Sequence, residues 1–483
     1  MEALTMQTQT HLYEQVAGKI ERLIEDGVLR PGERVPSVRK VSQMHRVSMA
    51  TAFQAYFLLE NKGLIESRPR SGFYVRMLSK GLPPTPNRTS PAAVATSVNV
   101  DDLVGSILAA MRRPDLVQLG AASPSSDLLP VNRLNRTLMD VVRRSPKRTI
   151  EYELIAGNAE LRRQIALRSL TWGGNLSADD IVVTNGCIEA LNLCLRAVAR
   201  AGDTIAIESP TYYGVLQVIE NLGMRALEIP TSPTDGICLD ALETALHSQS
   251  IAACLVMSNF NNPLGSCMPD AKKQRLVEIL AGHVVPLIED DIYGDLNFGT
   301  TRPKTCKAFD RDGLVLLCAS FSKTLAPGYR IGWTAPGRFR AQVERLKGMN
   351  TIATATLPQM VVAEFLKNGG YERYLRQLRL HFASHLYAAK QAIFQSFPPG
   401  TKVTRPGGGF VLWVEFPEGI DTLELHYRAL EHKISLAPGV MFSPSKKYQN
   451  CVRLSFGQKW SETTQRAIET VGKLASLESR VAG

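Results

Sequence analysis

The stretch LLCASFSKTLAPGYRIGW, residues 316–333, joins a continuous apolar run to a group of polar side chains. The run is too apolar for a surface strand, so we expect it inside a parallel sheet. Ligands bind beyond the carboxyl ends of such strands. A lysine there suits an amine held close to a phosphorylated aldehyde, because desolvation and neighbouring cations favour its neutral, nucleophilic form. The polar group comprises Ser320, Ser322, Lys323 and Arg330.

The Ser-x-x-Lys spacing from Ser320 to Lys323 also occurs in serine hydrolases. No general-base constellation accompanies it here, so we rank that interpretation far below the first.

Further apolar runs precede this one, and amphipathic segments separate them. Continuous apolar strands that alternate with helices indicate an α/β domain with a mainly parallel sheet covered on both faces. The runs are IVVT at 181–184, TIAIES at 204–209, IAACLVMS at 251–258, VVPLIED at 284–290 and LVLLCAS at 314–320.

Polar residues follow several of these runs. Gly186 and Cys187 lie between a strand and a helix start, where free amides and the positive helix end can hold a phosphate. Tyr212 in ESPTYYG is placed to lie over an aromatic ligand, although a packing role is common for such a tyrosine. The Asn-Pro turn at Asn262 is frequent in loops. Asp290 ends a buried strand, where burial of a carboxylate lowers the stability of the fold unless a cation pairs with it.

Taken in order, NG-C, PTYYG, NNPLG, EDDIYG and SFSKTLAPGYRIGW resemble the pyridoxal-phosphate aminotransferases of fold type I, from about Leu119 to the C-terminus. The resemblance implies pyridoxal 5'-phosphate as cofactor and Lys323 as the catalytic lysine that attaches it covalently. It implies that Asp290 partners the pyridine nitrogen. The other implied cofactor ligands are Asn262 and Tyr293 at the ring hydroxyl, Tyr212 on the ring, and the backbone of Gly186 and Cys187, Ser320, Ser322 and Arg330 at the phosphate.

The segments RPGGGFVLWVEF and CVRLSFG, 405–416 and 451–457, resemble the small C-terminal α+β domain of that family. The resemblance implies that Arg453 clamps a substrate carboxylate through a two-point contact. Without the family, a strand arginine is more often solvent-facing. Gly120 would line the substrate side. Tyr152 matches a residue that reaches the phosphate of the neighbouring subunit, which implies a homodimer.

The N-terminal head shows three helical patterns and two short β-prone runs around 68–72, the layout of a winged helix-turn-helix domain. The first helix should end at Asp26-Gly27, and the second should run from Pro36-Ser37 to about His45. Ser48 caps the third, which ends at Lys62-Gly63. The expected inner faces are Leu12, Val16, Ile20, Leu23 and Ile24; Val38, Val41 and Met44; and Ala52, Tyr56 and Leu59, with Phe53 as a further candidate.

Residues 30–76 carry nine basic and three acidic side chains, whereas the first helix is acidic. A basic face suits DNA phosphates, although solvated basic faces and protein-binding winged domains are also common. The stretch from Gly27 to Val75 resembles the GntR winged-helix signature, which implies DNA binding. Met49 departs from that family, which usually has arginine or another polar residue at this position. An apolar contact to DNA, such as one to a thymine methyl group, is therefore an alternative there. The implied DNA contacts are Arg39, Ser48, Thr51, Arg68 and Gly72.

The Pro-, Ser- and Thr-rich segment from Ser79 predicts a tether between head and body. We expect a DNA-binding domain at 1–78, a flexible linker at 79–108 and an aminotransferase-like effector and dimerisation domain at 109–483. Eight scattered cysteines without a C-x-x-C pair indicate reduced thiols and no metal site. With no signal peptide or membrane-length apolar run, we expect a cytoplasmic protein.

A GntR-like head and an aminotransferase-like body together resemble the MocR group of bacterial transcription regulators. This implies binding to a double-stranded DNA operator, controlled by an amine or amino acid, with a carboxylate, that reacts with or docks beside the cofactor. The alternatives are an active aminotransferase with an attached DNA-binding domain, and a sensor of pyridoxal phosphate itself.

Overall fold

The computed structural model describes residues 12–26, 28–30, 33–61, 64–68, 71–75, 83–111, 113, 115–367 and 369–481. They belong to two units, residues 1–82 and 83–483. Within these described ranges, no helix has the length and apolar character needed to cross a membrane.

The first unit is a three-helix domain followed by a β-hairpin. The hairpin is antiparallel and pairs Ile65 with Val75 and Arg68 with Gly72. This confirms the predicted winged helix-turn-helix architecture. Its elements are α1 (Leu12–Glu25), α2 (Val38–Met44), α3 (Met49–Asn61), β1 (Ile65–Arg68) and β2 (Gly72–Val75).

The core of the first unit is smaller than the sequence pattern suggested. On α3 the predicted inner residues Ala52, Tyr56 and Leu59 are fully buried. Several predicted core residues are instead exposed, because the short helices turn only one narrow stripe toward each other and the hairpin. Phe53 was a wrong candidate, since 55% of it is exposed. The other exposed residues are Leu12, Leu23 and Met44.

The second unit is built on a large mixed sheet in the order β3-β7-β6-β9-β10-β11-β12-β5, with β8 paired to β7. The strands from β7 to β11 are parallel, and β12 runs antiparallel to both β11 and β5. The strands of this sheet are β3 (Thr96–Ser97), β5 (Val182–Thr184), β6 (Thr204–Ser209), β7 (Arg225–Ser232), β8 (Gly236–Ile237), β9 (Ala253–Val256), β10 (Leu287–Asp290), β11 (Val315–Ser320) and β12 (Gly332–Ala335). The short strand β4 (Val117–Gln118) lies outside it and pairs in parallel with residues 434–435.

Helices cover this sheet, and the middle strands β9, β10 and β11 are buried along their whole length. This is why those strands read as unbroken apolar runs. The predicted α/β body with a mainly parallel sheet is therefore confirmed. The helices are α4 (Asp101–Met111), α5 (Val131–Arg144), α6 (Ala159–Ser169), α7 (Cys187–Val198), α8 (Tyr213–Asn221), α9 (Leu239–Ser248), α10 (Asp270–Gly282), α11 (Arg340–Asn350), α12 (Thr356–Lys367) and α13 (Gly370–Ser396).

The C-terminal part forms a small antiparallel sheet in the order β13-β14-β17-β16, with helices around it. Strand β17 lies inside this sheet and carries Arg453 opposite Trp413 and Ala437. The elements are β13 (Lys402–Val403), β14 (Val411–Glu415), α14 (Thr422–Glu431), β15 (Ile434–Ser435), β16 (Ala437–Pro438), β17 (Cys451–Ser455) and α15 (Glu462–Val481).

The segment predicted as a flexible linker, 79–108, is described by the structure over residues 83–108, and these residues are ordered against the second unit. The carbonyl of Pro84 accepts a bond from the Val403 amide, β3 pairs with β7, and α4 buries Val104 against the body. The composition was misleading, because the edge of the large sheet supplies partners for the polar groups of a segment that has little apolar surface of its own. The second unit therefore begins well before 109.

Thr89 is the main polar anchor of this segment. Its hydroxyl donates to the carbonyl of Ser209 (2.6 Å), lies 3.2 Å from the carbonyl of Thr231, and accepts from the Thr231 amide (2.8 Å). We expect Thr89→Val to lower the free energy of unfolding of the second unit by about 1–3 kcal/mol, since several part-buried bonds are lost. Urea denaturation measures this. Ser90→Ala, at the exposed next position, is the control, and equal effects of the two would contradict the anchoring role.

Candidate functional site

A cavity of about 210 Å³ lies beyond the carboxyl ends of β10 and β11. Because these strands are parallel, their last residues, Asp290 and Ser320, reach the same edge of the sheet. The predicted site residues that line the cavity are Cys187, Tyr212, Asn262, Asp290, Tyr293, Ser322, Lys323 and Arg330. The structure thus brings together side chains spread over more than a hundred positions of the chain.

Lys323 follows β11 and extends its amine into the cavity, where Nζ donates to the carbonyl of Ala122. Desolvation lowers the pKa of Lys323 to about 8, and the nearby cations Arg453 and Arg330 act in the same direction. A larger fraction of the amine is therefore neutral near physiological pH, which is the form that attacks a carbonyl carbon.

Asp290 is 2% exposed at the end of β10. Its Oδ1 accepts bonds from the Cys187 thiol (3.3 Å) and the Ile292 amide (3.1 Å). Within the described ranges no lysine or arginine forms an ion pair with it, and burial raises the pKa of Asp290 to about 7. A cationic group brought into the cavity would stabilise the ionised form.

The start of α7 meets the loop after β11 in a group of hydrogen-bond donors. Gly186, at φ +85°, precedes the helix, and a Cβ atom there would lie 2.2 Å from the Arg330 guanidinium. Arg330 donates to the Ser322 hydroxyl (3.3 Å), which lies 2.8 Å from that of Ser320. The first amides of a helix have no intrahelical acceptor, so this arrangement is suited to an anion.

Arg453 is fully buried, contrary to the usual exposure of a strand arginine. Its guanidinium donates to Oδ1 of Asn262 (3.3 Å) and to the carbonyl of Gly120. No carboxylate of the described chain forms an ion pair with it, and its Nε has no hydrogen-bond partner there. The phenol oxygen of Tyr293 also lacks a well-formed hydrogen bond. A polar, anionic ligand would supply the hydrogen bonds that these two buried groups lack within the described residues.

Two residues beside the site were missed by sequence reasoning. The ring of Phe442 lies under the Arg453 guanidinium at 5.3 Å. Glu208, at the end of β6, is 1% exposed and accepts bonds from the Met257 amide (2.7 Å) and the Asn261 side chain (2.7 Å). It thereby holds the turn that carries Asn262. The only sequence signal for this role was the position of Glu208 in the ESPTYYG motif, and that position does not identify its hydrogen-bond partners.

Tyr152 does not line the cavity of a single chain, and 83% of it is exposed. In the first unit, the Ser48 hydroxyl caps α3 by accepting from the Thr51 amide (3.0 Å) and lies 2.8 Å from the Thr51 hydroxyl. Arg39 is exposed on α2, and Gly72 has a φ of +103° in the hairpin. The side chain of Arg68 lies outside the described residues.

Comparison with known proteins agrees with both units. Residues 114–471 match the aminotransferase class I and II family, and residues 12–75 match the gntR family of bacterial regulatory proteins. The chain is 39% identical to two proteins of Escherichia coli K12 named as uncharacterised HTH-type transcriptional regulators. With YdcR the match covers 96% of this chain and 98% of that protein, and with YjiR it covers 95% and 98%.

A solved structure resembles the second unit. It is LysN, the α-aminoadipate aminotransferase of Thermus thermophilus, complexed with N-(5'-phosphopyridoxyl)-L-leucine. It matches with a TM-score of 0.72 and 25% identity, over 80% of this chain and 100% of LysN.

The fold and the cavity define a pyridoxal-phosphate-dependent, fold type I aminotransferase-like protein that carries a winged helix-turn-helix domain. The residues present fit this cofactor: a desolvated lysine, a buried unpaired carboxyl group and an anion-binding helix start share one cavity. The chain belongs to the aminotransferase class I and II family and, with its GntR head, to the MocR group of regulators.

The raised pKa of Asp290 predicts a pH-dependent cost in the cofactor-free protein. The ordinary value is 3.8 and the folded value is about 7, so folding is penalised increasingly between these pH values and fully above them. We expect Asp290→Asn to increase the free energy of unfolding by about 2–4 kcal/mol at pH 8 and by little near pH 4. Urea denaturation at both pH values checks this.

Asp295 provides a control of opposite sign. Burial works against its ionisation, but Arg168 and Arg302 outweigh burial and hold the pKa of Asp295 below its usual range. Asp295→Asn should therefore destabilise the protein at pH 8. A destabilised Asp290→Asn variant at pH 8 would mean that the Asp290 carboxylate is stabilised in the folded chain after all.

Proposed function

We propose that this protein is a pyridoxal-phosphate-dependent, DNA-binding transcription regulator whose body senses an amine or amino acid through the cofactor. One observation carries the proposal: the cavity that joins Lys323 to Asp290 belongs to a chain whose head is a winged helix-turn-helix domain. The 39% identity to two HTH-type regulators over nearly the whole length supports it. Such a protein acts on DNA in the cytoplasm.

Lys323 would hold the cofactor by a covalent bond through Nζ, and Asp290 would keep a proton on its pyridine nitrogen. Bound there, pyridoxal phosphate supplies an electrophilic carbon that amines attack and a ring that withdraws electrons. Asn262 and Tyr293 bind the ring hydroxyl, which explains the unmatched phenol oxygen of Tyr293. Tyr212 lies against the ring. The phosphate is bound by the Gly186 and Cys187 amides, Ser320, Ser322 and Arg330.

The proposed effector is an amine with a carboxylate or a similar anion. Arg453 offers a buried guanidinium with no carboxylate partner in the described chain, and Gly120 lies beside it. An effector carboxylate supplies the missing charge and accepts from the unmatched Nε. The amine of Lys323, where it is not bonded to the cofactor, would serve as a base in the cavity. These contacts would select an amino acid over an amine that lacks a carboxylate.

We further propose a homodimer in which Tyr152 of each chain reaches the cofactor phosphate of the other. Two side chains of the body hold the backbone around Tyr152 through hydrogen bonds. Lys347 donates to the carbonyl of Ile155, and Thr356 donates to that of Glu151 (2.6 Å). Its neighbours Ile150 and Leu154 are 88% and 65% exposed. An anchored segment that presents three large apolar side chains to solvent suits a protein interface.

The effector acts on DNA binding by linkage. An amine that binds one state of the body more tightly than another shifts the population of DNA-binding heads by that difference in affinity. The proposed domain division is a DNA-binding head at 1–78 and an effector and dimerisation body that includes residues 83–483.

Replacing Lys323 with alanine should abolish the visible absorption band of the lysine-bound cofactor, because the attaching amine is gone. Absorption spectra of the purified protein measure this. Lys402→Met is the control, since its amine binds the Glu415 carboxylate (2.6 Å) outside the cavity. A band that survives in the Lys323 variant would identify another lysine as the attachment point.

Charge placed on the proposed interface should disrupt the dimer. We expect Ile150→Glu with Leu154→Glu to give a monomer that binds the cofactor more weakly, since Tyr152 no longer reaches the partner. Sedimentation velocity and cofactor titration measure the two effects. Val284→Glu, at another exposed apolar position (63%), should leave the dimer unchanged. A doubly substituted protein that stays dimeric would move the interface elsewhere.

The function itself is tested by mobility shift of operator DNA with cofactor-loaded protein across a panel of amino acids and amines. A specific shift that one compound alters is the expected result. Absence of a specific shift, together with multiple-turnover transamination, would identify an aminotransferase instead. A shift that depends on the cofactor and on no amine would identify a sensor of pyridoxal phosphate.

A further inference from the structure

We propose that helix α3 reads A·T base pairs in the major groove. An uncharged strip on its outer face, formed by Met49, Ala50, Phe53 and Gln54, contacts thymine methyl groups through its apolar side chains and adenine through Gln54. This inference rests on the proposed DNA-binding function and adds what kind of operator the head recognises.

The outer face of α3 carries no charge. Its exposed positions are Met49, Ala50, Phe53 and Gln54, which share one face because they are one turn apart in pairs. The helix contains no lysine or arginine, and its single acidic residue, Glu60, lies in the last turn. In a helix-turn-helix domain this outer face of the second motif helix enters the major groove.

The exposure of two large apolar residues there is costly in a small domain. Met49 is 52% and Phe53 is 55% exposed, while the inner positions of the same helix are fully buried. The core is therefore complete without them. Both lie close to the helix start, where recognition helices contact base edges.

Positive charge surrounds the strip rather than occupying it. Arg39 and Lys40 are exposed on α2, and Arg46 is exposed in the turn before α3. The Ser48 cap leaves the amino end of α3 as a further positive pole. An uncharged strip with a cationic border matches the floor and walls of a DNA groove, where bases lie between phosphates. This charge pattern favours DNA over a second protein as the occupant.

The side chains of the strip discriminate between bases. Guanine is read mainly by arginine or lysine and cytosine by a carboxylate, and α3 offers neither on this face. Thymine alone presents a methyl group in the major groove, which the methionine and phenylalanine side chains can cover. Gln54 can donate to N7 and accept from N6 of adenine. The base pairs that face α3 should therefore be A·T.

The test begins with duplexes selected by the full-length, cofactor-loaded protein from a random-sequence library. Each thymine in the selected site is then replaced by deoxyuridine, which removes only the methyl group. We expect the Kd to rise about fourfold for each methyl contacted by α3, the equivalent of burying one such group. Replacement of thymines outside the selected site is the matched control.

Variants assign the contacts to the strip. Phe53→Ala should bind thymine and deoxyuridine duplexes with equal affinity at one position of the site, and Gln54→Ala should lose its preference for adenine. Leu23→Ala, which truncates an exposed apolar residue of α1, should keep both preferences. These comparisons use ratios of Kd, so a general loss of affinity does not imitate them.

The outcomes separate this inference from the function on which it rests. If selected duplexes bind specifically but deoxyuridine leaves every Kd unchanged, the protein binds DNA and the methyl contact is wrong. A selected site with G·C pairs at the positions protected by α3 would also overturn it. If selection recovers no specific duplex, the DNA-binding function fails and the strip serves a protein contact.

Discussion

The central constraint on this molecule is the enclosure of an amine and a carboxyl group in one cavity without a direct ion pair between them. Burial lowers the pKa of Lys323 and raises that of Asp290, so each is biased toward its neutral form. Both shifts cost stability, and they persist because packed strands and helices leave the groups no other position. Neighbouring residues supply hydrogen bonds to these groups. The Cys187 thiol donates to Asp290, and the Ala122 carbonyl accepts from Lys323. Glu208 accepts from the Met257 amide and the Asn261 side chain and so holds the turn that carries Asn262.

Much of this architecture could be predicted from the sequence, for physical reasons. Strands buried on both faces are unbroken apolar runs, so the parallel sheet and the polar residues at its edge were readable. Three features were not. The order of residues 83–108 depends on hydrogen bonds to a distant sheet edge, as at Thr89. The hydrogen bond from the Cys187 thiol depends on Asp290, which lies on a strand far away in the sequence. The exposure of Phe53 depends on how three short helices meet, which periodicity alone does not determine.

The two units use opposite means of recognition. In the proposed function, a small ligand matches the buried charges of the body, and an effector without a carboxylate would leave the Arg453 guanidinium without an ion-pair partner. In the proposed DNA complex, the cations that border the uncharged strip of the head would supply affinity through phosphates, and the apolar and amide side chains of the strip would supply base selectivity. A substitution in the cavity should therefore alter the response to the effector, while a substitution in the strip should alter the choice of operator.

The central claim is that the cofactor site and the DNA-binding head are thermodynamically coupled, and coupling between two binding sites is reciprocal. The most direct test is to titrate the effector amine into cofactor-loaded protein, following the cofactor absorption band, with and without saturating operator duplex. The account predicts that DNA shifts the effector dissociation constant by the same factor by which the effector shifts the dissociation constant for DNA. Identical titration curves with and without DNA would contradict it, because the two sites would then bind independently.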